Sequence, residues 1–422
     1  MHASKENIGR KTVAVAVRGV HLLAAVLGIV VLSSFVRVQG TQFRQGYADA
    51  DTPYYYIGVN MWYGPCLAAL AGDSGCIRLC AELDSLRVRG VTNVRVFAPI
   101  GATWQAVCAG MENHEAAPLM AEEKALRGLD FFLAEMAKRQ MLAVICLQPA
   151  AAWVQGDAYH RPAAVQVASS AACTSPIDAL PDSAACSAYR RTVMQLLTRT
   201  NTCTGRPYAA DSTIMAWQLF DEPHPASLQS ASAFMEWMRE TAALVKRLAP
   251  RQLLSVGMEG MQGLRGCEQL YAEVHMLDDV DYLTLHLWPE RQRWTSSDRL
   301  FDALPRVYRS ADDCLAEHQR LAQQLGKPLV VEAFAYPRDH VFLSPRTETL
   351  ARAYFFDYVM QHLRESRAAE EPLAGVNVWG WAGFGCPAEG TWHAGADFVA
   401  EPPAAVQGRY SIYVDDAAFP RF

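Results

Sequence analysis

The sequence predicts a single (β/α)8 barrel. Eight apolar runs rich in β-branched and aromatic residues follow one another along the chain, with helical periodicity between most of them. Near-continuous apolar strands that alternate with amphipathic helices are typical of a parallel sheet covered by helices. Eight such units in about 380 residues fit one barrel with insertions. No linker or low-complexity block divides residues 35–422, so we expect one domain after a distinct segment 1–34.

The individual elements follow from local patterns. Strands are predicted where short runs of Val, Ile, Leu, Phe and Trp are bounded by turn residues or charges, at 54–60, 93–98, 141–147, 214–220, 252–256, 281–286, 328–334 and 374–379. Helices are predicted where apolar residues recur at helical spacing, at 79–89, 122–139, 187–200, 230–248, 268–276, 299–325 and 345–367. The stretch 148–185 after the third strand lacks both patterns. Loops of this length are usually functional or held in place by contacts with the rest of the protein.

Composition excludes several classes of protein. The chain has 44 acidic and 38 basic residues and a formal net charge of −6, so it lacks the clustered basic excess of a nucleic-acid-binding protein. Hydrophobic residues make up 51% and charged residues 19%, which allows a real core and argues against disorder. We therefore expect a folded protein with no nucleic-acid partner.

The first 34 residues differ from the rest. Four basic residues, Lys5, Arg10, Lys11 and Arg18, precede an apolar stretch at 21–34. This order is typical of an export signal. We expect cleavage near residue 33 and an exported protein, which could be secreted, periplasmic or anchored at the surface. In the alternative, an uncleaved anchor, the membrane is contacted through this segment only.

Export would permit disulfides among the 11 cysteines. Cys66 and Cys76 fall in predicted loops at a spacing that a loop could close, as do Cys173 and Cys186. The odd total leaves at least one thiol without a partner in the same chain. The pairing itself cannot be read from the sequence.

Polar and aromatic residues gather where the predicted strands end, which is the face of a barrel that carries active sites. The set consists of Asn60, Trp62, Arg95, Asp221, Glu222, His286, Trp288, Glu332 and Trp379. Aromatic rings stack on the apolar faces of sugars, and carboxylates protonate glycosidic oxygens or attack the anomeric carbon. The set therefore indicates carbohydrate chemistry, for which we expect no cofactor and no metal.

Long segments around these residues resemble the endo-β-1,4-mannanases of glycoside hydrolase family 5. The segments are YYYIGVNMWYG, RLCAELDSLRVRGVTNVRVF, RTNTCTGRPYAADSTIMAWQLFDEP, DYLTLHLWP, KPLVVEAFAYPRD and GVNVWGWAGF. The resemblance implies a (β/α)8 barrel, β-mannan or a related polysaccharide as substrate, and hydrolysis with retention of configuration. In this mechanism two glutamates, after strands four and seven, act as acid/base and nucleophile.

The same resemblance assigns roles to individual residues. Glu222 matches the general acid/base, Arg95 the arginine that orients the nucleophile, and Trp379 the tryptophan under the sugar of the cleaved bond. Further matches or candidates for the sugar-binding wall are Asn60, Trp62, Trp153, Asp221, His286 and Trp288. An acid/base needs a raised pKa to hold its proton near neutral pH, and we expect such a shift at Glu222.

The resemblance fails at the nucleophile. Family mannanases commonly have Glu-Glu-Phe-Gly at the end of strand seven, whereas this chain has Glu332, Ala333, Phe334 and Ala335. The nucleophile position is therefore Ala333, which has no group that can attack. Successive strand residues point to opposite faces, so Glu332 is expected to face away from the pocket if Ala333 faces into it.

Two further departures lie beside the predicted catalytic positions. Asp221 replaces the family Asn and places a negative charge next to Glu222, which predicts a raised pKa for one of the two carboxyls. Ala335 replaces the family Gly, which predicts a different backbone at that turn.

Three interpretations remain open from the sequence. The first is an active retaining hydrolase in which Glu332 substitutes for the missing nucleophile. The second is a carbohydrate-binding pseudoenzyme that keeps the sugar cleft. The third is an altered mechanism in which water fills the space left by the absent glutamate side chain and Asp221 or Glu332 serves as base. For the ordinary retaining route we expect severe impairment, with ligand binding preserved.

Overall fold

The computed structural model describes residues 34–46, 51–70, 72–100, 118–147, 183–225, 227, 230–264, 266–339, 348–393, 395–403, 405–416 and 419. Its centre is one sheet of eight parallel strands, which we label β1 (Tyr56–Asn60), β2 (Asn93–Phe97), β3 (Leu142–Cys146), β4 (Ile214–Gln218), β5 (Leu253–Ser255), β6 (Leu283–Leu287), β7 (Leu329–Phe334) and β8 (Leu373–Val378).

The strands pair in the order β5-β4-β3-β2-β1-β8-β7-β6. The two outer strands also approach each other. The amide of Asp281 donates to the carbonyl of Leu254 at 2.8 Å, and the amide of His286 donates to the carbonyl of Glu259 at 3.1 Å. The sheet is therefore a nearly closed barrel, and the predicted (β/α)8 fold is confirmed.

Helices cover the outside of the barrel. They are α1 (Gly64–Leu70), α2 (Gly72–Val88), α3 (Pro118–Lys138), α4 (Ser183–Leu197), α5 (Ala231–Leu248), α6 (Glu268–His275), α7 (Leu304–Leu325) and α8 (Leu350–Ala369). The sequence pattern did not predict α1, and it placed the start of α2 seven residues too late, at 79. Both errors fall on a stretch with glycines at 64, 72 and 75, where apolar periodicity is weak.

An N-terminal hairpin, which was also not predicted, closes the bottom of the barrel. Strand Arg37–Gln39 pairs antiparallel with Gln42–Gln45. Val36 and Phe43 are buried in one apolar cluster with Tyr56 and Tyr282, which lie where β1 begins and just before β6. The hairpin therefore fills the N-terminal end of the barrel, and the opposite end is left to carry the site.

Only one of the two predicted cysteine pairs lies entirely within the described residues. Cys66 lies in α1 and Cys76 in α2, so neither is in a loop, and no disulfide joins them. Cys173 lies outside the described residues, as do Trp153 and segment 1–33. Within the described part of the chain, no helix has both the length and the apolar character needed to cross a membrane.

Candidate active site at the barrel rim

Arg95 is the cation at the centre of the barrel interior. Its side chain is completely buried. Nε donates to Gln218 Oε1 at 2.8 Å, Nη1 to Asn60 Oδ1 at 3.1 Å, and Nη2 to Asp221 Oδ1 at 2.7 Å. Burial alone would lower the pKa of Arg95, but the Asp221 and Glu332 carboxylates raise it above its usual value. A permanent positive charge is therefore held between β1, β2 and β4.

Glu332 points into the barrel interior, whereas the alternation of strand side chains predicted that it would face away from the pocket if Ala333 faced into it. The Gln218 amide donates to Glu332 Oε2. Arg95 Nε is 3.7 Å from Oε1, and His286 Nε2 is 3.7 Å from Oε2. Burial would raise the pKa of Glu332, but Arg95, His286 and the Gln218 hydrogen bond lower it, so the group is a carboxylate.

The orientation of Glu332 is explained by an irregularity in strand β7. Val331 pairs with Leu285 of β6, whereas Ala333 pairs with His286, so β7 contains one extra residue at this point. A bulge of this kind interrupts the alternation of side chains between the two faces of a strand. Glu332 and Ala333 are therefore not required to face opposite sides.

Glu222 stands on a left-handed turn after β4. Its φ is 55°, which is uncommon for a residue other than glycine and is found preferentially at functional sites. The Glu222 amide donates to the carbonyl of Gly257 at 2.9 Å. Gly257 itself has φ +86°, and a Cβ there would lie 1.8 Å from the carbonyl oxygen of Phe220. Only glycine at 257 therefore permits this close approach of the chain after β5 to the turn that presents Glu222.

The Glu222 carboxylate is held by two cations. Arg291 donates to both of its oxygens, from Nη1 to Oε1 at 2.7 Å and from Nη2 to Oε2 at 2.6 Å, and His286 Nδ1 lies 2.9 Å from Oε1. Burial alone would raise the pKa of Glu222, but Arg291 and His286 lower it strongly. The expected raised pKa is therefore wrong. The neighbouring Asp221 carboxylate is paired with Arg95.

His286 lies between the two glutamates, with Nδ1 towards Glu222 and Nε2 towards Glu332. Burial alone would lower the pKa of His286, but its hydrogen bond to Glu222 and the nearby Glu332 carboxylate raise that pKa from 6.5 to about 9. The ring is therefore a cation at neutral pH, and both of its nitrogens can donate.

This pKa predicts a specific pH dependence of stability. Because the folded-state pKa is raised, the contribution of His286 is complete below pH 6.5 and is lost as the pH rises through about 9. The free energy of unfolding should fall by up to about 3 kcal/mol over this interval. Urea titrations of the unmodified protein and His286→Asn across this range measure the effect. The variant should be less stable below pH 6.5 and show a flatter curve, and parallel curves would contradict the assignment.

The predicted aromatic residues are buried, with exposed fractions of 2% for Trp62, 3% for Trp288 and 2% for Trp379. The Trp288 ring lies 5.6 Å from that of Trp379, and the Arg291 guanidinium lies 5.5 Å above Trp288. Trp62 instead donates from its indole nitrogen to the carbonyl of Val399 at 3.1 Å. The structure thus brings Trp288 and Trp379 next to the charged cluster, while Trp62 packs against the C-terminal segment.

The remaining departure, Ala335, lies at a turn that does not require glycine. Ala335 is not among the described residues with positive φ, so the residue at this turn does not have to be glycine. Its amide donates to the carbonyl of Leu287 at 3.1 Å, which continues the pairing of β7 with β6.

Sequence reasoning missed two residues of the site, Arg291 and Glu259. Glu259 follows β5, and its Oε2 lies 3.4 Å from Arg291 Nη2. It could have been found by reading the end of the fifth strand as the other strand ends were read. Arg291 lies in the loop after β6 and belongs to no motif, so only the fold reveals it.

A barrel with paired carboxylates, a histidine, an arginine and tryptophans at its C-terminal rim has the groups that a glycoside hydrolase site requires. A family model described as "GH family 5 beta-mannosidase-like" matches residues 33–421. The chain belongs to this family, and the resemblance inferred from the sequence is confirmed.

Similar proteins agree with this assignment. Mannan endo-1,4-beta-mannosidase 4 of Oryza sativa subsp. japonica is 26% identical over 367 residues, which cover 82% of this chain and 72% of that protein. Mannan endo-1,4-beta-mannosidase 5 of Solanum lycopersicum is 26% identical over 314 residues, covering 71% and 70%. The crystal structure of the glycoside hydrolase family 5 mannosidase from Rhizomucor miehei has a TM-score of 0.74 at 23% identity, covering 92% of this chain and 95% of that chain, and it shares the fold.

Proposed function

We propose that this protein binds β-1,4-linked mannan-type polysaccharides at the C-terminal rim of its barrel, and that the ordinary retaining double displacement of its family is severely impaired. Family membership and the names of its relatives support the substrate class. The observation that carries the loss of the ordinary route is the pair of defects at the two catalytic positions. Ala333 has no attacking group, and Glu222 is held as a carboxylate by Arg291.

The loss of a proton at Glu222 matters as much as the loss of the nucleophile. A general acid must carry a proton when the glycosidic oxygen leaves. Two charge-assisted hydrogen bonds from one guanidinium favour the ionised form of Glu222. In this arrangement Glu222 is a poor proton donor. The ordinary mechanism therefore lacks both a protonated acid at Glu222 and a nucleophile at Ala333.

The alternative in which Glu332 acts as nucleophile is less well supported. Its side chain is 2% exposed, and its oxygens are engaged by groups from three other strands, Arg95, Gln218 and His286. Burial raises the pKa values of Tyr56 and Tyr282 in the apolar cluster under the barrel, and the nearby Glu332 charge raises them further. The carboxylate therefore lies below the rim, where it serves to balance Arg95 and His286.

Binding is tested by calorimetry with mannohexaose, and with cellohexaose as the comparison sugar. We expect mannohexaose to bind and Trp379→Leu to weaken binding at least about 10-fold, or about 1.4 kcal/mol, because the family resemblance places this tryptophan under the sugar and its ring packs against Trp288 beside the charged cluster. Tyr354→Leu is the matched control, since Tyr354 is an exposed aromatic on α8. No binding of mannohexaose, or equal loss in both variants, would reject the proposal.

We also propose that the protein is exported and loses about its first 33 residues, on the basis of the basic and apolar order of that segment. Amino-terminal sequencing of the secreted protein measures the cleavage point. A chain that begins at Met1 would indicate an uncleaved anchor or no processing.

A further inference from the structure

We propose that Glu222 and Glu259 form a second catalytic carboxyl pair, on β4 and β5, in which Glu222 attacks the anomeric carbon and Glu259 donates the proton. This inference rests on the proposed binding of mannan-type chains at the rim. It replaces the family pair on β4 and β7 by one that the structure places side by side.

Glu222 and Glu259 lie close together. Arg291 Nη2 lies 2.6 Å from Glu222 Oε2 and 3.4 Å from Glu259 Oε2. Two atoms that share a neighbour cannot be further apart than the two distances combined, so these oxygens are at most 6.0 Å apart. Retaining glycosidases hold their two carboxyls about 5–5.5 Å apart. The two carboxyls are therefore neighbours, and the upper bound on their separation includes the spacing of a retaining pair.

Solvent reaches Glu222 and Glu259 but hardly reaches Glu332. The side chains of Glu222 and Glu259 are 17% and 26% exposed, whereas that of Glu332 is 2% exposed. Both partly exposed carboxyls follow neighbouring strands at the end of the barrel that is not filled by the N-terminal hairpin. A sugar that reaches the rim meets these two carboxyls before it meets Glu332.

The charges of the cluster assign different protonation states to the two carboxyls. The connected cluster contains three cations, Arg95, His286 and Arg291, and four carboxyls, those of Asp221, Glu222, Glu259 and Glu332. One proton on a carboxyl balances the cluster. Burial and then the nearby Glu222 charge raise the pKa of Glu259, whereas Arg291 and His286 keep Glu222 ionised. A pair of carboxyls in which one pKa is raised and the other is lowered is typical of a general acid and a nucleophile.

The reaction balances with water as the only co-substrate. The sugar of the cleaved bond displaces the Arg291 guanidinium from between the two carboxyls, while His286 stays 2.9 Å from Glu222 Oε1 and keeps this carboxyl ionised. A Glu222 oxygen forms a bond to the anomeric carbon, the glycosidic C–O bond breaks, and its electron pair stays on the leaving oxygen, which takes the proton of Glu259. Water then attacks the anomeric carbon, gives a proton back to Glu259, and the ester bond to Glu222 breaks.

The test uses the full chain, its Glu222→Gln and Glu259→Gln variants, and two substrates. Mannopentaose has a leaving group that needs a proton, whereas 2,4-dinitrophenyl β-mannobioside does not. We expect Glu259→Gln to lose at least about 100-fold on mannopentaose and only a few-fold on the aryl glycoside. Glu222→Gln should lose both activities. Glu273→Gln, on the exposed face of α6, is the matched control and should change neither.

Equal losses of Glu259→Gln on both substrates, or no loss, would overturn the role of Glu259. The pair would also be overturned if the unmodified protein turned over neither substrate. Mannohexaose binding, measured on the same samples, separates the two proposals: binding without turnover rejects the pair and leaves the proposed function standing, whereas the absence of binding rejects the proposed function itself.

Discussion

The combined substitution Ala333→Glu with Asp221→Asn is expected to raise the turnover of mannopentaose by at least about 100-fold, because it returns an attacking carboxylate to the family position. Together the two substitutions move one negative charge from position 221 to position 333, so the number of negative charges in the cluster is unchanged. The change at 221 would release Arg95 Nη2, which now lies 2.7 Å from Asp221 Oδ1, to the new carboxylate. The gain is expected to stay close to this minimum, because Arg291 still holds Glu222 ionised in the variant.

The control for this variant is Ala333→Gln with Asp221→Asn, which has nearly the same shape and no attacking group. Initial rates on mannopentaose, with unfolding midpoints for all three proteins, measure the effect. If the glutamate and glutamine variants have the same rate while both are folded and bind mannohexaose, position 333 is not the family nucleophile position.

The largest effect on stability is expected from Arg95→Met. The substitution removes a completely buried cation and leaves Asp221 and Glu332 without their main countercharge. Breaking a buried ion pair by removing one partner typically costs about 3–5 kcal/mol. In the variant the pKa of the Glu332 carboxyl should rise, so the loss should be greatest near neutral pH and shrink as the pH falls and this group takes up a proton.

Urea unfolding of the unmodified protein and of Arg95→Met, at neutral and mildly acidic pH, measures this loss. The triple variant Arg95→Met, Asp221→Asn, Glu332→Gln should recover most of the stability, because it removes the charges together. A loss below about 1 kcal/mol at neutral pH would show that the buried carboxyls do not depend on Arg95.

The barrel and most of the rim could be predicted from the sequence because both depend on local patterns. Each strand is an apolar run, and side chains just past a strand end must meet at one face, which places Glu222, His286 and Trp379 together. The N-terminal hairpin was missed because its strands, such as Gln42–Gln45, are short and mostly polar and show no apolar run.

The orientation of Glu332 could not be predicted, since an extra residue within an apolar strand leaves no mark on its composition. The prediction for the pKa of Glu222 was wrong for a different reason. The direction of the pKa shift depends on Arg291, which is 69 residues away along the chain and reaches the carboxylate only through the fold of a loop. Local patterns locate a titratable group, but its state is set by partners that are distant in sequence.

The pairing of Arg95 with Asp221 also bears on how such a chain can evolve. With alanine at 333 and asparagine at 221, the buried arginine would lose an anion, and an aspartate at 221 supplies one. Once that aspartate is present, a mutation that restores glutamate at 333 alone adds a surplus negative charge beside Glu332. The first substitution towards the family residues is then harmful until the second has occurred. Such dependence on order hinders any change of these two positions one at a time.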